Sequence, residues 1–442
     1  MIKLPEQVNK AISLLKNSGF EAYAVGGAVR DCLLGKVPFD WDITTSARPE
    51  ETEKVFCGER IIETGIKHGT VTVIIDGMPL EITTYRIDGD YTDHRHPQTV
   101  SFSDNLRDDL SRRDFTINTL CCNCDDKIID AFGGKDDLNN KIIRCVGDPD
   151  TRFSEDALRI MRAVRFSAEL GFKIEKSTSD SILKNRRLLS DVSKERLQVE
   201  FTKLITGKYA TDVIRKYHAV IEVFIPELAP LAECEQHTKY HKYDVLEHTL
   251  HAVDAIDFND RILRLTMFFH DFGKPDAKTT DENGTSHFKG HAVISEKKTR
   301  DILKRLKFDN NTINEVSKLV LIHDMKSPRD KIQAKKMMCS LGDEAYLNLI
   351  KIKRADNRAK ADPHAIDEKL KNMRSFYEEI KINNECYNLK SLAVNGDDIK
   401  AFGIAEGKEI KSSLDFLLNG VIEGKCQNRK DVLLEYLKEN TK

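Results

Sequence analysis

A short stretch near the N-terminus restricts the fold of this chain more than any other. An apolar run at residues 22–25 ends at the pair Gly26-Gly27, and a short helix is predicted over residues 28–34. Because glycine has no Cβ, backbone N–H groups at this pair can close on a phosphate at the helix N-terminus, where the helix dipole favours negative charge. Arg30 lies one turn into the helix and can add its guanidinium to the same anion. The stretch therefore predicts a strand–turn–helix unit that binds phosphate at Gly27 and Arg30.

Two aspartates, Asp40 and Asp42, follow this unit and begin a second apolar run. On a strand their side chains point to the same face, because side chains alternate between the two faces. Two carboxylates on one face repel each other unless a cation lies between them, and Mg²⁺ prefers hard oxygen ligands. Glu81, in a later β-rich run, is a candidate third ligand, and an exposed strand glutamate is the alternative. We predict that Asp40 and Asp42 are catalytic and hold Mg²⁺, since a metal site beside a phosphate site suits nucleotidyl transfer.

The composition is typical of a globular, helix-rich protein, with 40% hydrophobic and 32% charged residues among 442. No apolar run is long enough to span a bilayer and the N-terminus lacks a signal-peptide core, so we expect a cytoplasmic protein with no membrane partner. Because the net charge is −2, an RNA partner would be held by local basic patches. The ten cysteines lack metal-binding spacing and are expected to be reduced.

Two β-rich runs, residues 70–75 and 80–85, flank a turn and predict a hairpin. With the earlier strands they indicate a small mixed sheet with flanking helices. A polar, turn-rich segment, residues 86–111, is expected to be a mobile loop. It leads to Arg112 and Arg113, which precede an acid and an apolar run. Arg113 could neutralise a triphosphate, and the alternative is the charged start of a helix or strand.

A long helix is predicted over residues 151–170, with a charged row along one side. The row has a spacing of three residues and consists of Asp156, Arg159, Arg162 and Arg165. One interpretation is a solvated face with internal ion pairs. The other follows from the bases, because cytosine and adenine each present an amino donor beside an acceptor ring nitrogen. Asp156 could accept from the amino group while Arg159 donates to the ring nitrogen, which would select C or A by protein alone.

Histidines concentrate between residues 240 and 325, where two of them form His-Asp pairs. Imidazole and carboxylate are the usual ligands of transition metals, so this span predicts a second metal site. The candidate ligands are His248, His270, Asp271, His291, His323 and Asp324.

The first stretch, GG-x-x-RD followed by D-x-D, resembles the active-site signature of the polymerase β-type nucleotidyltransferases. Within that superfamily the chain resembles the branch of bacterial-type tRNA CCA-adding enzymes and poly(A) polymerases. The resemblance extends over nearly the whole chain through RRDFT-x-N at residues 112–118, ED-x-x-R at residues 155–159 and LAVNGDDIKAFGIAEGKEI at residues 392–410. The last motif is similar to the C-terminal RNA-binding body of CCA-adding enzymes and favours them over poly(A) polymerases.

This resemblance implies addition of CMP, CMP and AMP from CTP and ATP to the 3′ end of tRNA, with two Mg²⁺ ions at Asp40 and Asp42. It also implies a set of nucleotide-binding residues, which are Gly27, Arg30, Arg113, Asp156, Arg159, Arg162 and Arg165. Of these, Arg162 and Arg165 would face phosphate or ribose. CC-adding relatives lack a loop such as residues 86–111, so its presence favours complete CCA addition or A addition.

The histidine-rich span resembles the HD phosphohydrolase domain, which implies a transition metal and an additional phosphohydrolase activity. The alternative is a domain that has kept its helices, lost activity and serves as a tRNA-binding body. An ER-x-x-x-E run at residues 195–200 resembles the neck of the same enzymes and is expected to serve helix packing.

The expected fold class is α+β, with a small mixed-sheet nucleotidyltransferase head followed by an elongated all-α body that contains an HD domain. The expected domains are the head (1–146), a nucleobase-reading neck (147–225), the HD domain (226–340) and a C-terminal tRNA-binding tail (341–442). An A-adding enzyme or poly(A) polymerase is one alternative, and a non-catalytic RNA-binding scaffold is another. The sequence assigns no oligomeric state.

Overall fold

The computed structural model describes residues 2–63, 65–66, 69–89, 99–125, 127–238, 242–404 and 407–440. The chain divides into two compact units, residues 1–229 and 230–442. The predicted α+β class is confirmed, because the first unit contains a mixed sheet and the second is built almost entirely of helices.

The first unit contains eleven strands and ten complete α-helices among its described residues. The strands are β1 (Ala22–Val25), β2 (Asp42–Thr45), β3 (Arg60–Ile62), β4 (Thr70–Ile75), β5 (Met78–Thr84), β6 (Arg86–Asp88), β7 (Val100–Phe102), β8 (Cys121–Cys122), β9 (Ile128–Ile129), β10 (Ile142–Ile143) and β11 (Lys173–Ile174). The helices are α1 (Glu6–Asn17), α2 (Gly27–Leu33), α3 (Pro49–Val55), α4 (Leu106–Ser111), α5 (Gly134–Asn139), α6 (Pro149–Glu155), α7 (Leu158–Leu170), α8 (Lys176–Asn185), α9 (Lys194–Ile205) and α10 (Ala210–Ile221).

A seven-stranded sheet in the order β3-β4-β5-β2-β1-β8-β9 organises the first unit. The predicted hairpin is confirmed, since β4 and β5 pair antiparallel around the turn that joins them. β2 and β5 run parallel, and their register sets Asp42 opposite Glu81. β1 and β2 run antiparallel, with Val25 opposite Asp42. The turn that follows β1 therefore lies next to the first residue of β2.

Asp40 lies outside the strand that sequence alternation predicted for it, because β2 begins at Asp42. The reason is that β1, the strand that pairs with β2, is short. β1 has only four residues, and the chain turns at Gly26, whose φ is +81°. A positive φ of this kind is readily adopted by glycine. With β1 ended, no residue of that strand pairs with Asp40, so the rule that placed both aspartates on one face does not apply to it.

The predicted helix over residues 151–170 is wrong at one point, because the chain breaks between α6 and α7. Asp156 has extended backbone angles (φ −135°, ψ 101°), and its carboxylate accepts a hydrogen bond from the N–H of Leu158 at 3.1 Å. Aspartate competes with helical hydrogen bonding in this way and so favours helix starts. Asp156 therefore precedes α7 and does not lie on the same helix as Arg159.

The second unit consists of helices and one short hairpin. The helices are α11 (Ala229–Ala232), which includes the last residue of the first unit, α12 (Val245–Asp254), α13 (Arg261–Phe269), α14 (Lys274–Ala277), α15 (His291–Arg305), α16 (Asn310–Ile322), α17 (Lys331–Leu341), α18 (Asp343–Arg358), α19 (Asp367–Ile382), α20 (Gly396–Ala401), α21 (Lys408–Ile422) and α22 (Lys430–Asn440). The hairpin strands are β12 (Thr279–Thr280) and β13 (Ser286–His287). α12 packs on α13 and α18, and α13 packs on α16, so residues distant in sequence meet at the ends of these helices.

Residues 90–98 of the predicted loop lie outside the described residues. On either side of them, β6 and β7 pair as an antiparallel hairpin. None of the helices that the structure describes is both long and apolar enough to cross a lipid bilayer.

Candidate active site and a buried metal-ligating cluster

The candidate active site lies where β2 begins, beside the turn after β1. Asp42 and Glu81 occupy opposite positions on parallel strands, and both side chains are exposed. A Cβ added to Gly26 would lie 3.8 Å from Oδ2 of Asp42 and 3.2 Å from Nη1 of Arg113. The glycine thus allows a carboxylate and a guanidinium to approach the same turn, which any larger residue would crowd.

Asp42 has a markedly perturbed carboxyl group. The surrounding protein removes water from the carboxylate and, together with the charges of Glu81 and Asp40, raises the pKa of Asp42 to about 6, although Arg113 acts in the opposite direction. Part of the residue still reaches solvent. A group whose ionised form is opposed by neighbouring carboxylates is stabilised by a bound cation. The charges of Asp40 and Glu81 act on Asp42, but the three side chains are not among the groups of potential ligands that the described residues bring within 4.8 Å of one another.

Arg113 is held in place by a buried acid that sequence reasoning missed. Asp109 is fully buried; it accepts hydrogen bonds from Arg112 at 2.7 and 3.0 Å and from Arg113 at 3.4 Å. Thr44, two residues along β2 from Asp42, donates to the same carboxylate at 3.0 Å. Burial opposes the charge of Asp109, but Arg113 and Arg112 outweigh it and lower its pKa. The spacing of three and four residues to the two arginines was the available sequence signal.

Arg113 keeps one donor unused among the residues that the structure describes. Its Nε is buried and has no hydrogen-bond partner there. Arg30 differs, because its guanidinium is buried and donates to Asn118 at 2.8 Å and to Asp31 at 2.9 Å. A Cβ on Gly27 would lie 3.6 Å from Nη2 of Arg30. The structure thus brings Gly27 and Arg30 together, with Arg30 engaged inside the protein.

The four residues of the predicted base-reading row all have protein partners. Asp156 accepts from Nη2 of Arg196 at 2.9 Å, a pair that sequence reasoning missed, since the 195–200 run was expected to serve packing. Arg159 is buried and pairs with Glu155 at 2.5 Å. The remaining pairs are Arg162 with Asp114 at 2.7 Å and Arg165 with Glu200 at 2.8 Å.

One aromatic ring lies under several of these arginines. The guanidinium carbons of Arg30, Arg162 and Arg165 lie 4.9, 5.3 and 4.0 Å from the ring centroid of Phe166. Asp114 accepts from both Arg162 and Asn118, and these contacts outweigh its burial and lower its pKa to about 2. A continuous polar network therefore links α2, the RRDF segment and α7.

A second cluster lies in residues 230–442, where four histidines surround one buried aspartate. Oδ2 of Asp271 lies 3.1 Å from Nε2 of His270 and 3.4 Å from Nε2 of His248. Its other oxygen, Oδ1, lies 3.4 Å from Nε2 of His291 and 3.9 Å from Nε2 of His323. Among the described residues, two groups of potential metal ligands result, and Asp271 is common to both.

The histidine rings are oriented for ligation. Each Nδ1 atom lies at hydrogen-bonding distance from a backbone carbonyl oxygen. The pairs are His248 with Ala359 (3.2 Å), His270 with Met267 (2.6 Å), His291 with Phe288 (2.9 Å) and His323 with Val320 (2.6 Å). A carbonyl oxygen only accepts, so these contacts place a proton on Nδ1 and make the Nε2 atoms, which face Asp271, Asp356 or one another, the candidate metal ligands. Oδ2 of Asp271 is buried and lies between Nε2 of His270, at 3.1 Å, and Nζ of Lys274, at 2.7 Å. A buried carboxylate among several imidazoles is a combination of ligands that transition metals use.

The aspartate near this cluster is Asp356 and not the predicted Asp324. Oδ1 of Asp356, at the end of α18, lies 3.0 Å from Nε2 of His248 and 3.9 Å from Nε2 of His270. Asp324 is exposed, and the structure does not bring it into either ligand group. Lysines accompany the acids, with Lys274 2.7 Å from Asp271 and Lys360 2.6 Å from Asp356. No local motif marks Asp356, since it follows His248 by 108 residues.

Comparison with known proteins covers most of the chain. Three protein-family profiles match: "Poly A polymerase head domain" over residues 22–144, "Probable RNA and SrmB- binding site of polymerase A" over residues 171–231, and "tRNA nucleotidyltransferase domain 2 putative" over residues 279–437. The chain is 34% identical to a CCA-adding enzyme of Geobacillus sp. (strain WCH70), over 98% of this chain and 97% of that protein. It is 33% identical to a CCA-adding enzyme of Bacillus subtilis (strain 168), over 97% and 96%.

A solved structure agrees with these relatives. The crystal structure of Bacillus stearothermophilus CCA-adding enzyme in complex with CTP superposes with a TM-score of 0.72 at 30% identity. The match covers 99% of this chain and 97% of that one.

Proposed function

The chain belongs to the family of CCA-adding enzymes, and from that premise we propose that it adds CMP, CMP and AMP, from CTP and ATP, to the 3′ end of tRNA without a nucleic-acid template. In each step the 3′-hydroxyl oxygen of the RNA bonds to the α-phosphorus of the nucleotide, and pyrophosphate leaves. The observation that carries the proposal is the set of carboxylates at Asp42 and Glu81 with Arg113 at the same glycine turn.

A divalent metal ion fits the oxygen donors at the start of β2, and we assign it as Mg²⁺. Asp40 and Asp42 would hold two ions, with Glu81 as a further ligand. When bound, the ions neutralise triphosphate charge and lower the pKa of the attacking hydroxyl. The protein itself orients the nucleotide, because the amides after Gly26 and the guanidinium of Arg113, whose Nη1 lies beside Gly26, can contact the phosphates.

Selection of the base is assigned to Asp156 and Arg159. The carboxylate would accept from the amino group of C or A while the guanidinium donates to the adjacent ring nitrogen. Arg196 supports this role by holding the Asp156 carboxylate at 2.9 Å. Arg162 and Arg165 are assigned to the phosphate or ribose side through the network around Phe166, and Arg30 acts there by fixing α2 against Asn118.

A product-length assay tests this function. Purified protein would be incubated with Mg²⁺ and a tRNA transcript that lacks CCA. We expect two added nucleotides with CTP alone, three with CTP and ATP together, and loss of addition in Asp42→Asn. A long tail from ATP alone would indicate a poly(A) polymerase, and addition of only the final A would indicate an A-adding enzyme. RNA binding without extension would indicate a scaffold.

We also propose a phosphohydrolase activity at the histidine cluster, because its geometry fits a transition-metal site. Asp271 would ligate through both oxygens, with His248, His270 and Asp356 on one side and His291 and His323 on the other. A bound metal would supply a Lewis acid and an activated water for phosphoester hydrolysis. The lysines beside Asp271 and Asp356 add positive charge for a phosphate.

Metal analysis and a hydrolysis assay test this second activity. The protein would be stripped with EDTA, dialysed against Mn²⁺, Co²⁺ or Ni²⁺, and assayed with bis(p-nitrophenyl) phosphate and p-nitrophenyl phosphate. We expect bound metal and metal-dependent release of p-nitrophenol, both lost in Asp271→Ala while CCA addition persists. Protein that neither retains metal nor hydrolyses these esters would instead have a catalytically inert tRNA-binding body at this place.

A further inference from the structure

The segment between α2 and β2 exposes two apolar side chains to an unusual degree. Val37 is 96% exposed and Phe39 is fully exposed, more than any other large apolar residue in the described part of the chain. Phe39 immediately precedes Asp40, which is one of the candidate metal ligands. Exposing a whole aromatic ring to water is unfavourable, so its position beside the active-site carboxylates suggests a binding role.

Phe39 contributes to a groove of about 610 Å³ in the first unit, called here the Phe39 groove. Its lining includes Lys3, Lys36, Phe39, Asp40, Met78 and Pro79. Because β2 and β5 run parallel with Asp42 opposite Glu81, the first residues of β5 lie alongside the chain that leads to Asp42. The Phe39 groove therefore lies beside the start of β2 and contains Asp40, whereas Asp42 and Glu81 do not line it.

The charges along the Phe39 groove suit a nucleic-acid strand. Lys3 and Lys36 are exposed, and neither forms an ion pair with any residue that the structure describes. Two unpaired ammonium groups beside an apolar floor can hold a phosphate while a base rests on the ring. Single-stranded nucleic acids are commonly bound in this way, by base stacking on aromatic side chains within a positively charged groove.

We propose that the Phe39 groove binds the 3′-terminal nucleotide of the RNA primer, with its base stacked on Phe39 and its phosphate near Lys3 or Lys36. This subsite rests on the proposed transfer function. The incoming nucleotide is a different occupant, since its base is assigned to Asp156 and Arg159, which do not line the Phe39 groove. Stacking also matches the task, because the first addition puts a C in place of the tRNA's own terminal base and stacking tolerates any base.

Steady-state kinetics with Phe39→Ala and Phe39→Trp tests the subsite. Phe39→Ala should raise KM for tRNA lacking CCA by about 5- to 150-fold, the range found when base-stacking aromatics are replaced by alanine. The affinity for CTP, measured without RNA, should not change, and Phe39→Trp should restore KM. Phe258→Ala removes an aromatic ring that is 43% exposed in residues 230–442 and should leave both constants unchanged. An unchanged KM for RNA in Phe39→Ala would overturn the proposal.

A fluorescence experiment separates this subsite from the transfer function itself. The primer carries 2-aminopurine as its 3′-terminal base and is mixed with protein in the absence of nucleotides. We expect wild-type protein and Phe39→Trp to quench the fluorescence and Phe39→Ala to quench it far less. Equal quenching by all three would overturn stacking on Phe39, even if the enzyme adds CCA. Quenching that depends on Phe39 would support the subsite even if no nucleotide is added.

Discussion

Asp42 on β2 lies directly opposite Glu81 on the parallel strand β5, although 38 residues separate the two acids in the sequence. Parallel pairing sets side chains of opposite residues on one face, and so two like charges meet at the edge of the sheet. Partial loss of surrounding water, together with the charges of Glu81 and Asp40, raises the pKa of Asp42 to about 6. Neighbouring carboxylates of this kind favour a cation bound beside Asp42.

Asp42→Asn should reduce nucleotide addition by at least about a thousandfold. A metal ligand of this kind supports several kcal/mol of transition-state stabilisation, and each 1.36 kcal/mol is a factor of ten.

In metal-free buffer at pH values above 6, Asp42→Asn should unfold at a higher temperature than the wild type, because the ionised carboxylate of Asp42 is disfavoured only in the folded state. The gain should vanish as the pH falls from about 6 to about 4, where both states become protonated. Asp76→Asn, an exposed acid of the β4–β5 turn, is the control for both measurements.

Addition of CMP at limiting Mg²⁺ should fall as the pH is lowered through about 6. Protons and metal compete for the Asp42 carboxylate, whose raised pKa brings this competition into an accessible range. Higher Mg²⁺ should move the midpoint of the profile to lower pH. An initial-rate profile at several Mg²⁺ concentrations measures this, and a midpoint that does not respond to Mg²⁺ would contradict it.

Asp109→Asn should destabilise the first unit and weaken nucleotide binding together. The buried carboxylate pairs with Arg112 and Arg113, and removal of one member of a buried ion pair costs about 3–5 kcal/mol. Because the folded protein lowers the pKa of Asp109, wild type should lose this advantage as the pH falls below about 4. Urea unfolding and KM for CTP are the measurements, with exposed Asp104→Asn as the control. A normal KM for CTP in a stable variant would exclude a positioning role for Asp109.

Arg196→Ala should relax the choice of base before it abolishes transfer. Without the hydrogen bond from Arg196, the carboxylate of Asp156 is no longer restrained, and discrimination of about tenfold should be lost. The ratio of kcat/KM for CTP over UTP measures this, and Asp156→Ala should show a larger loss. Arg187→Ala, at an exposed position of the same unit, is the matched control. A lower kcat/KM for both nucleotides with an unchanged ratio of CTP over UTP would count against base reading by Asp156.

Asp356→Asn should lower metal affinity at the histidine cluster by at least about tenfold, whereas Asp324→Asn should not. Asp356 lies 3.0 Å from His248, and Asp324 is exposed outside the cluster. Replacing even a residue that only orients a metal ligand lowers the metal affinity by roughly 10- to 100-fold. Titration with Mn²⁺ after EDTA treatment checks both variants, and circular dichroism checks that they are folded. The opposite order of effects would restore Asp324 as the ligand.

The sequence by itself determined the elements whose chemistry is local. A strand, a glycine pair and a helix over residues 22–34 follow from composition and spacing alone, because backbone freedom and helix-end dipoles depend on neighbouring residues. The motifs also determined the family, and the candidate acids Asp40 and Asp42 came from the same stretch. The four clustered histidines were equally visible, since they lie within one histidine-rich span, and His270 and His323 directly follow the apolar helices α13 and α16.

Only the tertiary structure decided which partners these residues meet. Strand register set Glu81 opposite Asp42, and the short β1 ended the pairing before Asp40. Helix packing brought Asp356 to His248, although Asp324 is closer to His248 in the sequence. Packing of α9 near α7 brought Arg196 to Asp156, 40 residues earlier in the chain. These outcomes depend on contacts between residues far apart in the chain, and local periodicity carries no information about such contacts.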